Sequence, residues 1–397
     1  MTDTTSPARR GAVLLALLWL VGMQLRLTIL AVPPVLPLIH RDLGLSEKAV
    51  GVLSALPVLL LALAAVPGSL MVARLGARRG CILGLAIVAL AGAARGLGPS
   101  APMLYAMTFA MGLGVALMQP TLPALVGQWF AARPGFATAV YANGLLIGEA
   151  VPAAITLPLV LPLVGGDWGW SFALWSVPVA LTAILVATLT PHVERPLAAG
   201  DYRWWPDWRR ALPLGLLIGG TGGLYFSANS FIPDYLHAIG RPELVGPALS
   251  ALNIGQLPAS AVILAFSRRL TGSRAVFVVS PLVALGGIAA LLSPAPETIV
   301  AAAGLIGFCC GIQLILSLAL PPFLAAADDV HHLSAGMFAI GYFVSFLMPP
   351  LGGAIWDATG VPTTAFAAAA LSTVLVLGAA LTMAPLRTAP AGSAPRR

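Results

Sequence analysis

Val50-Gly51-Val52-Leu53-Ser54-Ala55-Leu56 opens one apolar run, and Val245-Gly246-Pro247-Ala248-Leu249-Ser250-Ala251-Leu252 opens another. The two stretches stand 195–196 residues apart. Gly144 and Pro152 return as Gly341 and Pro349 at an offset of 197. Arg74-Leu75 returns as Arg269-Leu270, each followed by a glycine and another arginine. One such match carries little weight in a chain rich in Ala and Leu. A steady offset near half of 397 residues predicts a duplicated unit.

The composition says what that unit is made of. Apolar residues make up 59% of the chain, charged residues 9%, and the mean hydropathy is +0.94. A soluble domain carries about 25% charged residues, so this chain cannot clothe a water-soluble globule. Twelve apolar runs are each long enough to span a bilayer as a helix: 11–39, 49–72, 80–98, 102–124, 135–162, 168–190, 211–233, 244–266, 275–293, 298–324, 333–355 and 361–385. The expected fold is therefore an all-α membrane protein of twelve transmembrane helices in two parallel six-helix halves. The halves are expected at 1–190 and 211–397, joined by a cytoplasmic linker at 191–210.

Charge sets the orientation and excludes other classes. With the N-terminus cytoplasmic, sixteen arginines fall on inside segments, against Arg41, Lys48 and Arg241 outside. That asymmetry predicts both termini in the cytoplasm. The net charge of +7 is spread between the spans, with no basic stripe to track a nucleic acid. Cys81, Cys309 and Cys310 form no C-x-x-C pair, so no metal or redox cofactor is expected. No P-loop is present, so ATP does not drive the cycle directly. An embedded enzyme needs clustered acids, bases or nucleophiles at depth, and Glu149 is the one carboxylate the expected spans place there. Arg95, near the outer end of its run, is expected to snorkel to the headgroups. Trp168 and Trp170 read as interfacial belt residues.

Polar side chains deep in hydrocarbon are costly and should face protein or water. They are Gln24 and Arg26 (span 1), Gln119 (span 4), Asn143 and Glu149 (span 5), Tyr225 and Asn229 (span 7), Asn253 and Gln256 (span 8), Gln313 (span 10) and Tyr342 (span 11). Arg26 sits at the middle of its span. It reads either as an anion-binding group, through its planar donor fork, or as half of a structural ion pair. Gln24 and Thr28 lie about 200° round the helix from it. Glu149 follows Gly144-x-x-x-Gly148, a spacing that lets helices approach closely. Three readings stand for Glu149: a proton-coupling site, a counter-ion of Arg26 released by substrate, or a fixed structural pair. Pro33, Pro34 and Pro37 are expected to break span 1, Pro120 and Pro123 span 4, and Pro321-Pro322 span 10.

Several stretches resemble a known family. Leu25 to Pro37 (LRLTILAVPPVLP), Asp42-Leu-Gly-Leu-Ser46, Leu122 to Val126, Gly135 to Tyr141, Gly169-Trp170, Leu333 to Met337 and Gly341-Tyr342 are similar to the cyanate/2-nitroimidazole porter family of the major facilitator superfamily. The loop Ser69–Arg79 resembles the superfamily's G-x-L-a-D-R-x-G-R-R motif at Arg74, Gly76, Arg78 and Arg79, with Ser69 and Ala73 departing from it. Gly135, Gly144 and Gly148 keep the glycine frame of the drug/proton antiporter motif. Glu149, Pro152 and Ala153 replace its Pro-Gly portion. In span 11, Phe338-Ala339 stand where the family pattern leads one to expect Gln-Ser.

The resemblance implies a secondary transporter of the bacterial inner membrane that moves a small anionic or polar, cyanate-like solute by alternating access, with protons as a candidate coupling ion. Export of a nitroimidazole-like amphiphile is the alternative. It also implies a monomer without cofactor. In this fold spans 1, 4, 7 and 10 line a central cavity and spans 2, 5, 8 and 11 flank it. Arg26, Gln119, Tyr141, Asn143, Tyr225, Asn229, Asn253, Gln256, Gln313 and Tyr342 are then the substrate-binding candidates, and Glu149 the coupling or counter-ion candidate.

Overall fold

The computed structural model describes residues 7–63, 74–98, 100–130, 133–191, 208–259, 261–263, 274–318, 320–324 and 330–382, and they are helical apart from short turns. A backbone in hydrocarbon must pair its own N–H and C=O groups, and the helix does so within one segment. Among the described residues ten helical stretches are long and apolar enough to cross a membrane. The second and eighth expected spans run into undescribed residues, and Glu47–Leu63 and Val245–Ile254 are helices within them.

The first group of helices comprises α1 (Pro7–Leu30), α2 (Leu36–Leu43), α3 (Glu47–Leu63), α4 (Ala77–Ala94), α5 (Ala101–Trp129), α6 (Pro134–Ile155) and α7 (Trp168–Leu189). The second comprises α8 (Trp208–Ala238), α9 (Val245–Ile254), α10 (Arg274–Leu291), α11 (Pro296–Leu318), α12 (Val330–Thr359) and α13 (Phe366–Thr382). Most of the expected linker, 192–207, lies outside the described residues, and its last residues, Trp208–Arg210, already belong to α8.

The packing repeats as the sequence does. In the first group α1 packs on α6 and α7, α4 on α5 and α7, and α3 on α5. In the second α8 packs on α12 and α13, α10 on α11 and α13, and α9 on α11. Each first-group pairing thus has its counterpart. The groups meet mainly where α3 packs on α12 and α6 packs on α9. Those two seams are images of one another under the same correspondence.

Glycines make the tight seams possible. A Cβ on Gly22 would collide with the Tyr141 carbonyl, and one on Gly144 with the Trp19 carbonyl. Their counterparts Gly219 and Gly341 also sit at the α8–α12 contact, where an added Cβ would meet the Val344 and Ile218 side chains. A Cβ on Gly148 would strike the Met23 carbonyl. Gly148→Val is therefore expected to destabilise the folded protein by about 3 kcal/mol or more. Gly127→Val, on a helix surface with nothing within 4 Å of the added Cβ, is the control. Equal melting of the two variants in detergent would contradict this packing.

Proline acts differently in the three places expected to break. Span 1 is interrupted: α1 ends at Leu30, a 3-10 turn covers Pro33–Val35, and α2 follows. At the break Val32 N–H bonds Ile29 O instead of Thr28 O. The released Thr28 carbonyl accepts from Arg95 Nη2 at 3.0 Å. The expectation that Arg95 snorkels to headgroups is overturned. It is fully buried, with its guanidinium 4.3 Å from the centre of the Phe172 ring. Span 10 also breaks, since α11 stops at Leu318 and a short turn covers Pro321–Leu324. Span 4 does not break, because α5 runs through Pro120 and Pro123 to Trp129. A helix-interior proline costs about 3 kcal/mol, and the close approach of α4 and α5, with Gly84 against Gly114 and Met118, holds α5 helical through it.

Other details correct the expected edges. Asp234, just past the seventh expected span, lies inside α8 and is buried. Trp170 is exposed as a belt residue should be, but Trp168 is buried and donates Nε1 to Asp42 Oδ2 at 3.1 Å. Beyond α6 the chain makes a π-helical turn, Thr156–Val160, to which Trp175 Nε1 donates at Thr156 Oγ1 (3.1 Å).

Candidate functional site

Arg26 on α1 and Glu149 on α6 face each other. Arg26 Nε lies 3.3 Å from Glu149 Oε1, with side chains 11% and 5% exposed. Both belong to the first group. The Gly144 and Gly148 contacts bring α6 against α1 and make this reach possible. The second group closes the pair from the other side. Gln256, just after α9, donates Nε2 to Glu149 Oε2 at 2.8 Å. Phe226 of α8 offers its ring face to the guanidinium, 5.8 Å from carbon to ring centre. A guanidinium has five N–H donors, and here Nη1 is buried with no hydrogen-bond partner.

A neutral network adjoins the pair. The Tyr225 hydroxyl donates to Asn253 Oδ1 at 2.5 Å and lies within reach of the Glu149 carboxylate. Asn253 Nδ2 donates to Asn229 Oδ1 at 3.1 Å, and Asn229 Nδ2 to the Tyr225 carbonyl at 3.0 Å. Tyr225 and Asn229, one helical turn apart, thus share a face of α8 and meet Asn253 on α9. Gln24 points away from Arg26 as its helical phase predicts, and donates to Thr182 Oγ1 on α7 at 3.0 Å.

A second polar crossing joins the groups. Gln119 on α5 donates Nε2 to the Tyr342 hydroxyl on α12 at 2.8 Å. Phe338 stacks on Tyr342 with ring centres 5.8 Å apart and an 18° tilt. Tyr141 lies beside Tyr342. So Phe338, the departure from the family pattern in span 11, forms an aromatic platform with Tyr342.

Two candidates lie apart from these clusters. Gln313 is satisfied within the second group, accepting from Thr221 Oγ1 at 2.9 Å and donating to Ser280 Oγ at 3.0 Å. Asn143 is exposed, and its Oδ1 accepts from Trp19 Nε1 at 2.9 Å. Both read as helix–helix hydrogen bonds. Phe226 was not singled out by the sequence, since one Phe in an apolar run carries no signal of its own.

The loop motif is part of the scaffold. Residues 64–73, with Ser69 and Ala73, lie outside the described residues. Gly76 caps the start of α4 with φ +84°, where a Cβ is strained. Arg74 and Arg79 are exposed at that end. Arg78 donates Nε to Thr190 Oγ1 (2.8 Å) and Nη2 to Ala187 O (2.5 Å), at the C-terminus of α7. A cation there satisfies carbonyls that have no intrahelical partner and favours the helix dipole. In the second group Arg274 does the same for α13, through the Ala380 and Leu381 carbonyls.

Comparison with known proteins agrees with this architecture. The family model of the Major Facilitator Superfamily matches residues 18–240. The chain is similar to the cyanate transport protein CynX of Escherichia coli (strain K12), 26% identical over 385 residues, covering 94% of this chain and 98% of the relative. It is also similar to the 2-nitroimidazole transporter of the same organism, 27% identical over 386 residues, covering 91% and 92%. Among solved structures, the D-xylose-proton symporter superposes with a TM-score of 0.73 at 14% identity, covering 93% of this chain and 96% of that one.

Proposed function

This chain belongs to the Major Facilitator Superfamily, and we propose that it carries a small monovalent anion of the cyanate type by alternating access, with a proton moving alongside. The observation that carries the proposal is the buried Arg26–Glu149 pair with its unpartnered Nη1 donor. A small oxyanion or pseudohalide offers the acceptor that Nη1 lacks. As it binds, it competes with Glu149 for the guanidinium. A carboxylate left in a dry site without its counter-charge favours the protonated form. Proton uptake is then tied to anion binding, and the loaded site stays close to its resting charge.

One cation fits a monoanion. The second-half position matching Arg26 at an offset of 197 is Gly223, and the second group offers Tyr, Asn, Gln and Phe. The six-helix units expected at 1–190 and 211–397 act as the rocking bodies, with both termini on the cytoplasmic side of a bacterial inner membrane and the single chain as the working unit. The name of one relative, the cyanate transport protein, favours the same solute class.

The Phe338–Tyr342 stack supports a second reading, a flat amphiphile of the nitroimidazole type carried outward. Thermal shift of the purified protein separates the two, because a ligand that binds the folded state stabilises it by RT ln(1+[L]/Kd). Cyanate at about 100 times Kd is expected to add about 2.7 kcal/mol. A shift with 2-nitroimidazole and none with cyanate, nitrate or formate would replace the first reading by the second.

A further inference from the structure

Away from the central pair, two side chains seven residues apart and a third far along the chain converge at the end of the bundle opposite Arg78 and Arg274. His40 closes α2, Glu47 opens α3, and Asp234 lies near the end of α8. His40 Nδ1 is 3.7 Å from Glu47 Oε1 and 3.5 Å from Asp234 Oδ2. The three ligand atoms all lie within 4.8 Å of one another. Glu47 and Asp234 are 9% and 6% exposed, and His40 is half-open to solvent.

The contacts are poor as hydrogen bonds, which run at about 2.7–3.2 Å. Glu47 Oε2 and Asp234 Oδ2 are buried with no hydrogen-bond partner. The spacing suits another purpose. A tetrahedral ion with bonds of about 2.0–2.1 Å holds its ligands about 3.3–3.4 Å apart, close to the two separations seen here. The charge agrees. Two buried carboxylates facing one imidazole lack positive charge even when the imidazole is protonated. A divalent ion with neutral imidazole balances both carboxylates.

The surroundings hold the ligands in place. Asp357 of α12 accepts from the Glu47 and Lys48 backbone N–H groups at 2.9 Å each, fixing the start of α3. The side chain of Asp357 is thereby engaged as a cap.

We propose that His40, Glu47 and Asp234 form a binding site for a divalent transition-metal ion of the Zn2+ type, with solvent at the fourth position. His40 and Glu47 come from the first group and Asp234 from the second. A bound ion therefore fastens the two groups together at this end and arrests the cycle. Ca2+ and Mg2+ need larger oxygen shells and do not substitute.

The test is calorimetric titration of the purified full chain with Zn2+. The expected result is one ion per chain with a Kd of about 10 µM or tighter, unaffected by excess Mg2+ or Ca2+. His40→Ala and Asp234→Asn should each weaken binding at least about tenfold. X-ray absorption of the Zn2+-loaded wild-type protein reads the site without a variant, and should give a nitrogen/oxygen shell at about 2.0–2.1 Å. Absence of saturable binding, a sulfur shell at about 2.3 Å, or unchanged affinity in both variants would overturn the proposal. None of these readouts depends on the transported solute.

Discussion

Arg26→Ala is expected to lower uptake of cyanate into proteoliposomes at least about a hundredfold. The guanidinium is the charged partner proposed for the anion, and its replacement leaves Glu149 buried without the counter-charge that now lies 3.3 Å away. Breaking a buried pair from one side costs about 3–5 kcal/mol, and each 1.4 kcal/mol is tenfold in a binding constant. Arg26→Lys separates charge from geometry. Lysine keeps the positive charge but not the planar fork, so partial activity with weakened affinity is expected. The measurement is initial uptake rate against anion concentration, on protein checked for folded elution in detergent. Uptake unchanged in folded Arg26→Ala protein would sink the anion-site reading.

Glu149→Gln is expected to uncouple the transporter without silencing it. The amide keeps the shape and remains able to hydrogen-bond Gln256, but it cannot exchange a proton. It also ceases to compete with the substrate for Arg26. Anion affinity should therefore rise by about tenfold, a change of about 1.4 kcal/mol, and anion exchange should persist. Accumulation driven by an imposed pH gradient should disappear. Two assays on the same vesicles decide it: counterflow of labelled anion, and alkalinisation of the medium when substrate is added. Substrate-driven proton movement that survives in Glu149→Gln would remove this carboxylate from the coupling step and leave it a structural partner of Arg26.

The two groups of helices were legible because duplication leaves an arithmetic trace. Leu53–Leu56 and Leu249–Leu252, with Gly144 and Gly341, fixed the correspondence that the packing then repeats. Arg26 and Glu149 stood out in the sequence because charge is scarce near the middle of the expected spans, and which partner each takes was left open there. What stayed hidden depends on contacts between distant segments. The burial of Arg95 follows from a carbonyl that the Pro33–Pro34 break releases, and no sequence pattern records which side chain will take it. His40, Glu47 and Asp234 each sat at an expected span edge, where polar residues are ordinary. Their convergence arises only when α2, α3 and α8 meet. Pro120 and Pro123 misled in the other direction, because tight helix packing outweighed a strong local breaker.

Both members of the central ion pair belong to one group of helices. In the proposed cycle, in which the groups swing apart, the bond from Gln256 to Glu149 has to break while the ion pair itself can stay whole. A hydrogen bond to a charged group is worth about 1.5–3 kcal/mol, against about 3–5 kcal/mol for breaking a buried pair. At 1.36 kcal/mol per tenfold in rate, placing the pair within one group spares the opening step about an order of magnitude in speed. Turnover in this protein is therefore expected to be limited by the seams between α3 and α12 and between α6 and α9, and only weakly by its buried charges.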